Sequence, residues 1–501
     1  EYVAQLNDLM CALSILTWDA RTKMPPRGAQ TRAQQQATLS RMLQERFASD
    51  EMGRLLDQAE NEVAGEDPDS YRVRSVRTTR EAYDIFRRIP SRLVQEMAAL
   101  KAVAEQVWAE SRQNDDFSQF APYLEQIVQL SRALADAIGY EAHPYDAMLL
   151  QYEPGMTAER LSRLFEELKA GILPLLQRIV DRGIPAPSEL WTHEYPADRQ
   201  RAFVLEIVQA FGYDLERGRL DETVHPFEIS FTREDVRINT RYHPHYLPAA
   251  LFGTFHESGH GLYEQGVDPA LTRTALACDF LGLYAVGGVS YGAHESQSRL
   301  WENLVGRSRV FWRLHFPRLQ EYFPSQLADV DWETFYRAVN RVQPSLIRVE
   351  ADEVTYNLHI MLRTEIEMEL MDGSLAVQQL PEVWNAKMEE YLGLRPPTDR
   401  QGVLQDVHWS SGYVGSFPAY TIGNVMSVQF FQAARRQVAD LDDALAAGEY
   451  QPLLSWLTDH VYRHGRAFSA EELLRKSTGS GLSSAPYLAY IEEKYTELYP
   501  A

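Results

Sequence analysis

The chain has 501 residues, 45% hydrophobic and 24% charged, the proportions of an ordinary globular protein with enough length to bury a large core. Its formal net charge of −22 argues against nucleic acid or an anionic membrane surface as the main partner. Cys11 and Cys278 are its two cysteines; they make no disulfide framework and no C-x-x-C motif, which fits a reducing cytoplasm.

Most of the chain reads as helix. Apolar residues recur at helical spacing from Glu1 to Thr17, and Met24-Pro25-Pro26-Arg27-Gly28 breaks the pattern. The run Leu9 to Leu16 is short and lacks a basic leader, so it is not read as a signal peptide. Further helices are expected over Ala29–Glu62, Asp67–Arg88, Ser91–Gln113 and Phe117–Ile138. Thr157 is a plausible N-cap for a helix reaching Arg182, with Gly183, Pro185 and Pro187 ending it.

One region reads as sheet. Phe227–Thr232 and Val236–Tyr242 alternate in the strand manner around Arg233-Glu234-Asp235, which predicts a hairpin. Its free edge could pair with an extended peptide, or the hairpin could simply be packing.

The next stretch, Leu251 to Tyr263, carries His256-Glu257-Ser258-Gly259-His260, the H-E-x-x-H pattern. Residues four apart on a helix lie on one face, so both imidazoles can point at one ion. Glu257 then sits where a carboxylate can take a proton from the attacking water. Apolar flanks (Leu251, Phe252, Phe255, Leu262, Tyr263) argue for a buried helix; the alternative is two surface histidines. Ala275–Ala293 is the nearest thing to a long apolar stretch, but Asp279 and several glycines mark it as core and cleft lining rather than a membrane span.

Downstream, Ser290–Gly306 reads as a helix carrying His294-Glu295-Ser296-Gln297. Pro344–Leu370 reads as one long helix with Arg348, Asp352, Thr355 and His359 along a polar stripe. A glycine-rich loop, Gly402–Tyr420, brings His408, Tyr413 and Tyr420, and helices including Ser484–Leu498 close the chain.

A hydrolytic zinc site wants three protein ligands and an open position. No third histidine follows His260 at short spacing, since Gly266 stands six residues on. Glu295 is the best third ligand, oriented by Ser296 and Gln297, and Glu302 is the fallback. A di-metal bundle would need a second E-x-x-H motif on a helix. Glu222-to-His225 supplies the spacing, but Pro226 disfavours helix there.

These motifs resemble the thermostable carboxypeptidase (carboxypeptidase Taq type) family of zinc metallopeptidases. The likeness covers nearly the whole chain, from Trp18-Asp19 and Met24-Pro25-Pro26 onward. It runs through His225-Pro226-Phe227, Asp235-Val236-Arg237-Ile238, the H-E-x-x-H stretch and His294-Glu295-Ser296-Gln297. It continues with Ile347-Arg348-Val349-Glu350-Ala351-Asp352, Tyr356-Asn357-Leu358-His359-Ile360 and Gly402-Val403-Leu404-Gln405-Asp406-Val407-His408-Trp409.

The resemblance implies a mainly α fold, neurolysin-like: one catalytic domain over residues 1–501, with two helical lobes, a deep central groove and a small antiparallel hairpin beside the active site. It implies a cytoplasmic homodimer using zinc, with cobalt able to substitute. The substrates would be peptides with a free C-terminal carboxylate, trimmed with broad preference but poorly at proline. By the family pattern His256, His260 and Glu295 are ligands and Glu257 is the general base; His225, Arg237, Arg348, His408 and Tyr420 lie on the substrate side. The chain departs from the pattern at Asn239, where threonine is usual, and in a longer segment around Thr272–Gly288.

The oxyanion of the tetrahedral intermediate needs a positioned donor, for which Tyr420, Tyr413 and His408 are candidates. A terminal carboxylate calls for a guanidinium: Arg348 first, or Arg237 on the hairpin. Either could instead be a structural ion-pair partner, Arg348 with Asp352 for instance. An oligopeptidase or dipeptidyl carboxypeptidase of the same fold is the nearest rival, and a non-catalytic peptide-binding homologue the more distant one.

Overall fold

The structure, a computed structural model, describes residues 1–183 and 189–500. The described residues are mainly helical, as expected, with five short strands. They group into two compact units. The first comprises residues 1–84, 187–339 and 426–482; the second comprises residues 85–186, 340–425 and 483–501.

The first unit holds both sheets. The expected hairpin is present as β2 (Glu228–Thr232) and β3 (Asp235–Thr240), antiparallel with Ile229 opposite Arg237. A third strand, β1 (Gly218–Glu222), lies parallel to β3 on its other side. Its sequence, GRLDE, has no apolar alternation, so nothing local announced it. Two further strands, β4 (Cys278–Asp279) and β5 (Tyr284–Ala285), form a small ribbon. β3 is therefore central, and β2 carries the hairpin's outer edge, where the Ser230 hydroxyl donates to the Ala285 carbonyl of β5.

Val236 and Ile238 of β3 are fully buried, and this sheet packs on the helix Leu247–Gly266. That helix also meets the helices Ala197–Phe211 and Tyr291–Arg299. Leu251, Phe252, Phe255, Leu262 and Tyr263 bury it on nearly every side. A helix enclosed this way carries polar groups only where they are paired or used.

In the second unit, the helix Tyr356–Asp372 is equally enclosed, against the helices Phe117–Ile138, Ala158–Asp181 and Leu380–Leu392. The Thr157 cap is as expected, its hydroxyl accepting from the Arg160 amide. The expected start at Pro344 is corrected. Residues Arg348–Glu350 form a short 3₁₀ turn, and the helix begins only at Tyr356. The Asp352 carboxylate accepts from the Gln343, Val354 and Thr355 amides and from the Thr355 hydroxyl. Such local bonds favour a helix start over a helix interior, so Arg348 is not part of a helical stripe.

One smaller correction follows the same logic. Ala29–Glu62 is two helices, Ala29–Phe47 and Asp50–Val63, because Ser49 caps the second. The break expected at Pro185 and Pro187 lies outside the described residues. Among the described residues, no helix is long and apolar enough to cross a membrane.

Candidate metal centre and arginine cluster

His256 and His260 stand on the enclosed Leu247–Gly266 helix, their rings 5.0 Å apart between centroids. The facing helix, Tyr291–Arg299, starts at Ser290, whose hydroxyl accepts from the Ala293 amide. Close approach of the two helices depends on Gly259. A Cβ there would stand 2.4 Å from the Gln297 carbonyl oxygen and 2.6 Å from Ser298 Cα, so no side chain fits. The result puts Glu295 Oε2 3.4 Å from Nε2 of both histidines.

These three residues offer donor atoms within 4.8 Å of one another, the only such group found among the described residues. Two imidazole nitrogens and one carboxylate oxygen suit a borderline divalent ion with a position left open. The rival E-x-x-H motif is not helical: Glu222 ends β1, and His225 is exposed beyond it.

The orienting partners differ from those expected. Ser296 donates to the Ala293 carbonyl, and Gln297 bonds Ser296 and Tyr462, so neither touches the Glu295 carboxylate. Arg299 Nε donates to Glu295 Oε1 at 2.6 Å, and the Ser298 hydroxyl donates to Oε2 at 3.1 Å. An arginine four residues on lies on the same helix face, a spacing the sequence contained.

Glu302, the fallback ligand, has another place. It sits on a π turn, Leu300–Val305, with Oε2 3.0 Å from Nδ1 of His256. Arg299 and Arg307 also donate to it. Burial works against its charge, but Arg299, His256 and Arg307 together hold its pKa at about 2. Burial likewise opposes charge on His256, yet Glu295 and Glu302 lift its pKa to about 10. His260, buried and beside two other imidazoles, falls to about 3 despite Glu295.

Glu257 is 6% exposed. Burial, with Glu295 and Glu302 nearby and His256 opposing, raises its carboxyl to about 7. A carboxyl so tuned can take and return a proton near neutrality. Further along the same face of the helix, His260 Nδ1 is 2.5 Å from Nδ1 of His294, and His294 Nε2 is 2.9 Å from Glu264 Oε1. Glu264 lies one turn beyond His260, a spacing visible in the sequence and not used.

Arg237, also in the first unit, is paired with Asp235 through Nε at 2.8 Å and Nη2 at 2.9 Å, with its guanidinium over the Trp18 and Phe231 rings.

The remaining candidates belong to the second unit. Arg348 donates from Nε and Nη2 to Asp406 Oδ1, at 3.0 and 2.7 Å, and from Nη1 to the Tyr356 hydroxyl at 3.1 Å. Its partner is thus Asp406, not Asp352. A second guanidinium, Arg363, which the sequence reading missed, bonds Asp406 Oδ2 at 2.7 Å. Burial opposes ionisation of Asp406, but the two arginines hold it well below the usual carboxylate range. Burial and the adjacent Arg348 charge lower Arg363 to about 10 and His408 to about 3, against the pull of Asp406.

His408 stacks on Phe417 at 4.4 Å, and its Nε2 is 3.3 Å from the Tyr420 hydroxyl. The Arg348 guanidinium lies 5.4 Å from the Tyr420 ring centroid. Arg348, His408 and Tyr420 therefore form one group. Tyr413 is 38% exposed, its ring 5.9 Å from the Lys101 amine. Two guanidinium groups against one carboxylate, beside a neutral imidazole, leave this buried cluster one positive charge in excess.

A family model described as carboxypeptidase Taq (M32) metallopeptidase matches residues 1–495. The chain is 45% identical over 496 residues to thermostable carboxypeptidase 1 of Thermus thermophilus, covering 97% of this chain and 95% of that protein. It is 38% identical over 488 residues to carboxypeptidase 1 of Bacillus subtilis, with coverage of 97% and 95%. Among solved structures, the M32 carboxypeptidase from Deinococcus radiodurans R1 superposes with a TM-score of 0.95 at 41% identity, covering 100% of this chain and 98% of that one.

Proposed function

Because the chain belongs to the carboxypeptidase Taq (M32) family of metallopeptidases, we propose that it is a zinc carboxypeptidase that releases single residues from the free C-terminus of peptides. The observation that carries this reading is the group His256, His260 and Glu295, with the buried Glu257 one residue from the first ligand. His256, His260 and Glu295 would hold the zinc ion, which would supply Lewis acidity and a water more acidic than bulk water. Cobalt, with similar ligand preferences, would substitute.

Glu257 accepts the proton of the attacking water and delivers it to the leaving amine, the two halves of general acid–base catalysis. Glu302 accepts from Nδ1–H of His256 and so leaves Nε2 free to bind. The excess positive charge around Arg348, Arg363 and Asp406 suits a terminal carboxylate, with Arg348 as the anchor. Arg348 uses three side-chain donors on protein partners, so two of a guanidinium's five remain for a substrate. The Tyr420 hydroxyl, beside neutral His408, is the donor for the oxyanion. His225 and Tyr413, both exposed, are left as outer substrate contacts.

Broad preference, poor release of proline and a homodimeric assembly rest on the family likeness. A cytoplasmic location rests on the two free cysteines. Incubating a blocked dipeptide with metal-stripped and zinc-restored protein tests the reading. Hydrolysis should vanish on stripping and return with zinc; hydrolysis by the stripped protein would contradict it.

A further inference from the structure

Residues 267–289 join the two helices of the metal centre, and their last turn is fastened to a single carboxylate. Glu264 Oε2 accepts from the Gly287 amide at 2.8 Å, and Oε1 accepts from the Gly288 amide at 2.9 Å. The same Oε1 is the atom 2.9 Å from Nε2 of His294. Gly288 is required here: a Cβ would stand 2.2 Å from Cδ2 of His294, so any side chain would push the backbone off the ring. Arg466 holds the same turn, donating to the Gly288 carbonyl and lying 3.6 Å from Asp279 on β4.

The direction of every hydrogen bond in this chain is set from one end. Two backbone amides can only donate, so Glu264 faces them as an acceptor. His294 Nε2 then carries the hydrogen and donates to Glu264, which leaves His294 Nδ1 bare. A bare Nδ1 at 2.5 Å from His260 Nδ1 requires that His260 carry its hydrogen there. His260 Nε2 is left with its lone pair, on the side facing Glu295.

We propose that Glu264 is a positioning residue that couples the 267–289 segment to the metal centre. Through His294 it holds His260 in the tautomer that binds through Nε2, and with its other bonds it holds the segment in place. Binding of the ion and docking of the segment thus stabilise each other by linkage. The inference rests on His260 being a ligand.

Glu264→Gln breaks the chain, because one amide oxygen cannot fill both acceptor places. With its oxygen on Gly287, the amide sets its NH₂ against Gly288 and His294 Nε2, so that His294 must accept there and the hydrogen of His260 moves to Nε2; with its oxygen on Gly288 and His294, the NH₂ opposes the Gly287 amide and loosens the segment. Either arrangement weakens the binding of the ion, the first at the ligand and the second by linkage. Zinc affinity, measured by competition with a chromogenic chelator, should fall about 10–100-fold in Glu264→Gln. Arg273→Ala removes an exposed pair with Asp8 elsewhere in the segment and should leave affinity unchanged.

Hydrogen exchange read on peptides covering 272–289 supplies the second measurement. Zinc should slow exchange there in the wild type and not in Glu264→Gln. Wild-type zinc affinity in a folded Glu264→Gln protein would overturn the proposal, as would exchange in the wild-type segment that is indifferent to zinc. If His260→Ala bound zinc as tightly as the wild type, the ligand reading itself would fall, and the proposal with it.

Discussion

Glu302 Oε2 stands 3.0 Å from Nδ1 of His256, while Nε2 of the same ring stands 3.4 Å from Glu295 Oε2. One carboxylate orients the imidazole and the other shares its binding side, so their removal should have different consequences. Glu295→Ala should abolish tight metal binding. Glu302→Ala should keep the metal but weaken it by about 10–100-fold, as loss of an orienting partner does. Metal content after dialysis against a graded chelator series checks both; a metal-free Glu302 variant beside a metal-replete Glu295 variant would exchange their roles.

Glu257→Gln should retain the metal and lose about 10²–10⁴-fold in kcat, because the amide keeps the shape but cannot accept a proton. Metal analysis and steady-state kinetics on one preparation check this together. A near-normal kcat would show that another group activates the water.

The buried Arg348–Asp406–Arg363 cluster makes a prediction about stability. Asp406→Asn leaves two buried guanidinium groups without their counter-charge and should cost about 3–5 kcal/mol. Arg348→Ala leaves Asp406 paired with Arg363 and should cost less. Thermal unfolding of the two variants side by side checks the order, and an Arg348→Ala protein less stable than Asp406→Asn would reverse the account of the cluster.

What the sequence made legible depended on whether the interaction was local. The H-E-x-x-H helix and the hairpin are set by spacing within a few residues, and the structure shows both close to the expected bounds. The failures are where partners come from far along the chain. β1 pairs in parallel with β3, with the whole of β2 between them in the chain, and carries no alternation of its own. Arg363 and Asp406 meet across 43 residues, and no period in either stretch points to the other. Arg348 was misplaced for a different reason. The apolar pattern after Pro344 looks helical, but Asp352 spends its acceptors on nearby amides and delays the helix to Tyr356. Two features were readable and passed over: Arg299 four residues after Glu295, and Glu264 four residues after His260, each on the face of the residue it serves.

The central claim, release of single residues from a free C-terminus, is tested most directly by mass spectrometry of the products from one peptide offered as the free acid and as the C-terminal amide. The account predicts stepwise loss of single residues from the acid. Amidation removes a charge-assisted bond worth about 1.5–3 kcal/mol, so kcat/KM for the amide should be about ten- to a hundredfold lower. Arg348→Ala should show a similar loss on the acid and little further loss on the amide, since both changes delete the same contact. Equal cleavage of acid and amide, or fragments from internal cuts, would contradict the account and make the protein an oligopeptidase.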